Sequence, residues 1–324
     1  MRLRGAVVGF LLLTGGYVGL LVWADARTPL FASIRGLLPL LPAMIAMSAF
    51  AYLARYLRWR RLLARAGHAT GFGRGLLAYL SGFAFTATPG KVGELVRMRY
   101  LVPLGVPAPI VFGAFVFERA LDLLVVLGLA MLAIGDTRLM AMSMAFVAAS
   151  VGGLAVAVAH PGALASLDTW LRGRGWRRAA GLAGGLRDAL TGCRRWLNRS
   201  DLLVGLSFGL IAWGLTAASF VWLLHGMGVS VPALDAFAAY PLAMLAGAAS
   251  MLPGGVGSTE LAIVVSLARH GIGLETAALA AVGVRLSTLW FAILCGLVAI
   301  MLLESRAARD GRVGAPGGAR AGER

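Results

Sequence analysis

Charge is scarce in this sequence. Only 14% of its 324 residues are Asp, Glu, Lys or Arg, and 59% are hydrophobic. Soluble domains carry roughly 25% charged residues, so an ordinary soluble domain is excluded. So is a disordered chain, which needs low hydrophobicity. Acids are scarcer than bases: fourteen face thirty, leaving +16. Lysine is nearly absent, Lys91 standing alone among arginines. The two cysteines, Cys193 and Cys295, make neither a disulfide framework nor a metal set. The four histidines are scattered without ligand spacing. Neither a metal nor another cofactor is expected. The G-x-x-x-x-G-K-[ST] phosphate loop is missing, so transport driven by a P-loop ATPase within this chain is excluded. The longest stretch between apolar runs covers 160–200. About forty residues rarely fold alone without metal or disulfides, which argues against a soluble catalytic domain and against an enzyme.

Long apolar runs are what the chain has instead. A span needs about 20 apolar residues. Such runs cover 5–24, 36–54, 100–135, 139–159, 202–224 and 276–303, with shorter ones at 75–90 and 236–252. The first carries a small-x-small sequence at Ala24-Asp25-Ala26 but is longer than a signal-peptide core, and is read as an uncleaved span. With the N-terminus cytoplasmic and the two short runs making no net crossing, 24 of the 30 basic residues fall in cytoplasmic segments and four outside. The positive-inside rule therefore orients both termini toward the cytoplasm, and nucleic acid is not needed to explain the charge. Residues 168–199 alternate arginine with Trp170, Trp176 and Trp196. They read either as a basic segment lying on anionic lipid headgroups or as an ordinary positive-inside loop. The tail 305–324, rich in Gly, Ala and Arg, reads as disordered.

The chain also repeats itself. Pro89-Gly90-Lys91-Val92-Gly93 matches Pro253-Gly254-Gly255-Val256-Gly257 at an offset of 164. After two extra residues the offset becomes 166, and Glu94 falls on Glu260 and Arg119 on Arg285. The span before the first motif runs inward and the span before the second runs outward, so the halves are inverted. Inverted repeats with discontinuous segments in matching positions point to a transporter's binding site. Runs of 16–17 residues ending in Pro-Gly are short for a full span, and Pro-Gly permits a sharp reversal. Each motif reads as the turn of a re-entrant hairpin, or else as the junction of two complete tilted helices.

The fold class is therefore an all-α polytopic membrane protein of two inverted-topology repeats, each with a Pro-Gly hairpin. A first span and external loop fill 1–35. The first half covers 36–135, with its hairpin at 75–101. A linking span and basic loop follow at 136–200. The second half covers 201–304, with its hairpin at 236–269, and the tail completes the chain.

Several of these segments resemble a known family. They are Arg58-Trp-Arg-Arg-Leu-Leu63, Thr88-Pro-Gly-Lys-Val-Gly-Glu-Leu-Val-Arg97, Glu118-Arg-Ala-Leu-Asp-Leu123 and Leu252-Pro-Gly-Gly-Val-Gly257 with Glu260. Together they are similar to the lysylphosphatidylglycerol synthase transmembrane, flippase-like family, over roughly 40–303. The second motif departs from it: Ser258-Thr259 stands where such proteins often have a charged residue before Glu260. The resemblance implies translocation of an anionic, polyprenyl or hopanoid-type lipid between leaflets. It does not imply aminoacyl transfer. The alternative is an accessory membrane protein of a lipid or glycolipid pathway, partnered by a biosynthetic enzyme. Homo-oligomerisation is open.

Charges inside spans mark the candidate site. An ionisable side chain at mid-membrane costs about 2.5–3.5 kcal/mol on insertion scales, so Glu118, Arg119, Asp122 and Arg285 need partners or water. Glu118 and Asp122 share one helical face. With Arg119 they sum to −1, which Arg285 would neutralise. The group reads as a salt-bridge cluster locking the halves, or as a phosphate site in which Arg119 and Arg285 fork onto the oxygens. Glu94 and Glu260 would cap half-helices or pair with Arg285 and Arg119 across the halves. Arg97 and Arg99 would sit at the cytoplasmic mouth. Pro89, Gly90, Gly93, Pro253, Gly254, Gly255 and Gly257 define the turns.

Overall fold

In the computed structural model the described residues are 35–133, 169–176 and 192–313, with eight single positions elsewhere. The spans expected at 5–24 and 139–159, much of the basic loop and the end of the tail lie wholly or mostly outside them.

Every element described is helical. Helix α1 (Leu41–Arg65) starts with Pro42 in its first turn, where the missing N–H is harmless. It ends at Gly67, whose φ of 85° closes the helix in a left-handed cap. Helix α2 (Phe72–Ser81) tightens into a 3-10 turn at Gly82–Phe85 and reaches the first Pro-Gly turn, Pro89–Arg97. Helix α3 follows at Ala108–Ala130. Helix α4 (Arg199–Gly226) is capped by Asn198, whose side chain accepts the Asp201 N–H at 2.9 Å. Helix α5 (Ala233–Ala249) leads through the second turn, Pro253–Gly255, into α6 (Ser258–Ala268). Helix α7 (Leu274–Arg285) continues through a π-helical segment, Leu286–Trp290, into α8 (Phe291–Val313).

Element lengths separate two kinds of helix. At 1.5 Å per residue, α2 with 10 residues and α6 with 11 rise about 15 and 16 Å, half of the ~30 Å hydrocarbon core. Among the described residues, two helices are long and apolar enough to cross a membrane: Arg199–Gly226 and the continuous Leu274–Ala308.

Two boundaries depart from the sequence reading: α8 continues to Val313, through the first nine residues of the tail expected to be disordered from 305, and α1 outlasts its apolar run. The second apolar run stops at 54, but α1 continues to Arg65, burying Arg55 and Arg58. Arginine is a good helix former, and carboxylates on α3 receive these side chains. The charges ended the apolar run without ending the helix. At its far end Arg61 and Arg65 hold Asp201 at 3.1 and 3.0 Å, fastening the end of α1 to the start of α4.

Two larger apolar cores result, beside two small clusters at Ala51 and Ala87. One gathers Tyr56, Trp59, Tyr79, Phe117 and Trp196 around α1–α3. The other gathers Trp213, Phe220, Tyr240, Ile263 and Val284 around α4–α7. Helix α8 closes onto the first hairpin at Gly296, where a Cβ would lie 2.0 Å from the Ala84 nitrogen. Such close backbone approach through a small residue is how helices pack where lipid supplies no hydrophobic drive.

Candidate functional site

The two Pro-Gly-x-Val-Gly segments open on the same reversal and then part: Val92 and Gly93 continue in a 3-10 helix, whereas Val256 is extended and Gly257 has φ of 85°. Gly90 and Lys91 have φ of 61° and 56°, and Gly254 and Gly255 both have 64°. Two consecutive left-handed residues follow each proline and reverse the chain. In the first turn Gly93 is held by its N–H to Thr88 Oγ1, 2.7 Å. A Cβ there would meet the Phe85 carbonyl at 2.6 Å. The turns face each other, and a Cβ on Gly254 would lie 3.3 Å from that of Ala87.

The glutamates that follow the turns stay within their own halves. Glu260 Oε2 accepts the Gly257 N–H at 2.7 Å, capping α6. Its Oε1 accepts from Arg285 Nε at 2.7 Å. Arg285 also donates to the Gly254 carbonyl, so it ties the turn to α7. Glu94 accepts from Thr86 Oγ1 at 2.9 Å and pairs with Arg97. The expected cross-pairs, Glu94 with Arg285 and Glu260 with Arg119, are not formed, because each glutamate finds an arginine closer to its own turn.

Arg97 is not a mouth residue. It is fully buried, with its guanidinium 4.5 Å from the Trp59 ring and 4.6 Å from that of Tyr79 and its Nη1 3.5 Å from Glu118. These aromatic faces hold the cation where no water reaches. Arg99 does sit at the rim, paired with Glu304 at 3.0 Å.

Glu118 and Asp122 share a face of α3 and are neutralised by their own half, not by Arg285. Arg58 Nη2 lies 2.7 Å from Asp122 and 3.1 Å from Glu118. Arg119 lies 3.1 and 3.5 Å from the same two carboxylates. Tyr79 donates to Glu118 at 2.7 Å. Asp122 also has Arg55 at 4.0 Å. The sequence reading had counted Arg55, Arg58 and Lys91 as orientation charges. For Arg55 the helical spacing carries a signal: Ser48, Tyr52 and Arg55 fall on one face of α1.

That face borders a cavity of about 160 Å³ between the two turns. Arg55 comes from α1, Lys91 and Glu94 from the first turn, Thr259 from α6 and Arg285 from α7. Ser48, Arg55, Trp213 and Thr259 line it, and their buried Oγ, Nε, Nε1 and Oγ1 atoms have no hydrogen-bond partner among the described residues. Buried donors without partners cost roughly 1–3 kcal/mol each, so the wall is set to receive an acceptor. The π-helical segment after Arg285 is drawn to the same place. Tyr52 donates to the Thr288 carbonyl at 2.6 Å and Tyr240 to its hydroxyl at 3.0 Å. Such π-bulges often mark functional sites. Among the described residues no three His, Cys, Asp or Glu side chains converge on a metal site.

A cavity with cationic and hydroxyl groups set in a largely apolar wall, between paired Pro-Gly turns of an all-helical chain, is the setting for the comparison with known proteins. Residues 6–296 match the family described as the lysylphosphatidylglycerol synthase TM region. The chain belongs to that family. It is thereby a helical membrane protein of a lipid-related family, with helices that could cross a membrane. No curated protein and no solved structure matches it.

Proposed function

We propose that this protein translocates an anionic lipid between the leaflets of a bacterial inner membrane, acting as a transporter and not as an enzyme. The headgroup passes between the two Pro-Gly turns while the acyl or prenyl tails remain in the bilayer. The observation that carries this reading is the cavity itself, walled by cations of both halves, Arg55 and Lys91 from one and Arg285 from the other. At 160 Å³ it falls below the roughly 300–1,000 Å³ that encloses a drug-sized ligand, so it suits a headgroup and not a whole amphiphile.

Two inverted repeats with re-entrant hairpins are part of the proposal. Support comes from the matching turns, each with two left-handed residues after proline, and from α2 and α6, too short to cross alone. Non-helical backbone at membrane depth is tolerated where it is buried in protein or lines a wet cavity. The basic segment near Trp170 and Trp176, both exposed, would rest on anionic headgroups at the cytoplasmic surface, with Arg174 over the Trp170 ring at 4.2 Å.

The test is translocation of a fluorescent anionic phospholipid in proteoliposomes, comparing the natural chain with Arg285→Ala and Arg119→Ala. Arg285 borders the cavity and Arg119 belongs to the buried carboxylate network, so Arg285→Ala is expected to slow translocation more than tenfold. Natural rates in a folded Arg285→Ala protein would refute the assignment.

A further inference from the structure

The charges around the cavity do not cancel. Arg55, Arg58, Arg97 and Arg119 surround Glu94, Glu118 and Asp122, leaving one cation in excess. Arg285 and Glu260 neutralise each other. Lys91 adds a second excess cation, and no hydrogen bond or ion pair of its ammonium is present among the described residues. The excess also has a location. Arg58, Arg97, Arg119 and Arg285 each have a carboxylate within 3.5 Å. Among the described residues Arg55 has only Asp122 at 4.0 Å, an unpartnered Nε, and the Trp213 ring at 4.7 Å. The two under-neutralised cations, Arg55 and Lys91, both border the cavity.

The backbone marks Lys91 as well. Its φ of 56° lies in the left-handed region, which costs an L-residue about 1–2 kcal/mol. Gly255 takes the equivalent place in the second turn without that cost, and a Cβ there would lie 2.6 Å from Thr259 Oγ1. The first turn thus carries the chain's one lysine where the backbone favours glycine. Strain retained at one residue is a pointer to function when a site lies beside it.

We infer that the cavity takes a lipid headgroup bearing two or more negative charges, a terminal phosphomonoester or diphosphate, seated between Arg55 and Lys91. A phosphomonoester carries about −1.5 to −2 near neutral pH and a terminal diphosphate more, whereas a phosphodiester carries −1 and a zwitterionic headgroup none. This deepens the translocation reading and rests on the same cavity.

Binding to the full-length protein in nanodiscs tests it, by native mass spectrometry or thermophoresis. The ligands are farnesyl phosphate, farnesyl diphosphate, phosphatidic acid, phosphatidylglycerol and inorganic phosphate. The phosphomonoester and diphosphate lipids are expected to bind at least tenfold tighter than phosphatidylglycerol. Lys91→Gln should bring that ratio within threefold, and Lys91→Arg should restore most of it. A preference for the farnesyl ligands over phosphatidic acid assigns a prenyl lipid, and the reverse a glycerolipid. Inorganic phosphate binding as tightly as the lipids would overturn the lipid assignment. Equal affinity for phosphatidylglycerol and phosphatidic acid, or an unchanged ratio in Lys91→Gln, would overturn the inference. Selective binding without translocation of any lipid would sink the transport reading and leave the headgroup assignment standing. Translocation without selectivity would do the opposite.

Discussion

Replacing Arg58 with methionine removes the cation that joins α1 to α3 and leaves Glu118 and Asp122 with fewer partners. Arg58 is 1% exposed and its Nη2 reaches both carboxylates, at 3.1 and 2.7 Å. Its Nη1 approaches the Gly205 carbonyl of α4 at 3.5 Å. Breaking a buried ion pair by removing one partner costs about 3–5 kcal/mol, because the remaining charge is buried uncompensated. Arg119 and Arg97 still face the carboxylates, which sets the expectation at the lower end, about 3 kcal/mol. At ~2.1 cal/mol/K of unfolding entropy per residue, a chain of 324 residues shifts by about 1.5 °C per kcal/mol, so Tm should fall by roughly 4–5 °C. Tryptophan fluorescence of the detergent-solubilised protein reads this, since Trp59 and Trp196 are fully buried in the core beside the network. Adding Glu118→Gln to Arg58→Met removes the stranded charge and should recover part of the loss. A fall below 2 °C in the single variant, or a double variant less stable than the single, would refute the view that this network is held by charge compensation.

Two further substitutions probe the turns. Lys91→Gly removes about 1–2 kcal/mol of left-handed strain against about 0.4–1 kcal/mol of added unfolded-state freedom. Tm should hold or rise by a degree or two while translocation and phosphomonoester binding fall, and a drop in Tm would contradict the strain assigned to that residue. Gly296→Val places a methyl-bearing Cβ on the backbone of Ala84. Overpacking there should cost about 3 kcal/mol or more, read as loss of the monodisperse peak in size-exclusion chromatography. Natural yield and Tm would show that α8 does not close on the first hairpin.

Local chemistry made much of this molecule legible. The paired Pro-Gly-x-Val-Gly segments mark two turns with the same left-handed pair after proline, and Glu260 capping α6 follows from its place three residues after Gly257. The pairing of Arg119 with Asp122 is an i, i+3 relation on one helix. What could not be read was non-local. Arg58 meets Asp122 across 64 residues, and Arg97 depends on rings at Trp59 and Tyr79 that only packing brings beside it. For the same reason the end of an apolar run at 54 concealed eleven more residues of α1. An arginine whose carboxylate lies on another helix looks, in sequence, like a loop charge at the membrane surface.

The central claim is that the headgroup passes between the two turns. Ala87 and Gly254 face each other there, with a Cβ separation of 3.3 Å once one is built on Gly254, near the ~3.5–4.5 Å of disulfides. In a chain with Cys193→Ser and Cys295→Ser, the pair Ala87→Cys and Gly254→Cys can be oxidised and reduced in the same proteoliposomes. Translocation should stop on oxidation and return on reduction, with each single cysteine variant insensitive to both. Equal rates in the oxidised and reduced states, with the crosslink confirmed by mass, would contradict passage between the turns.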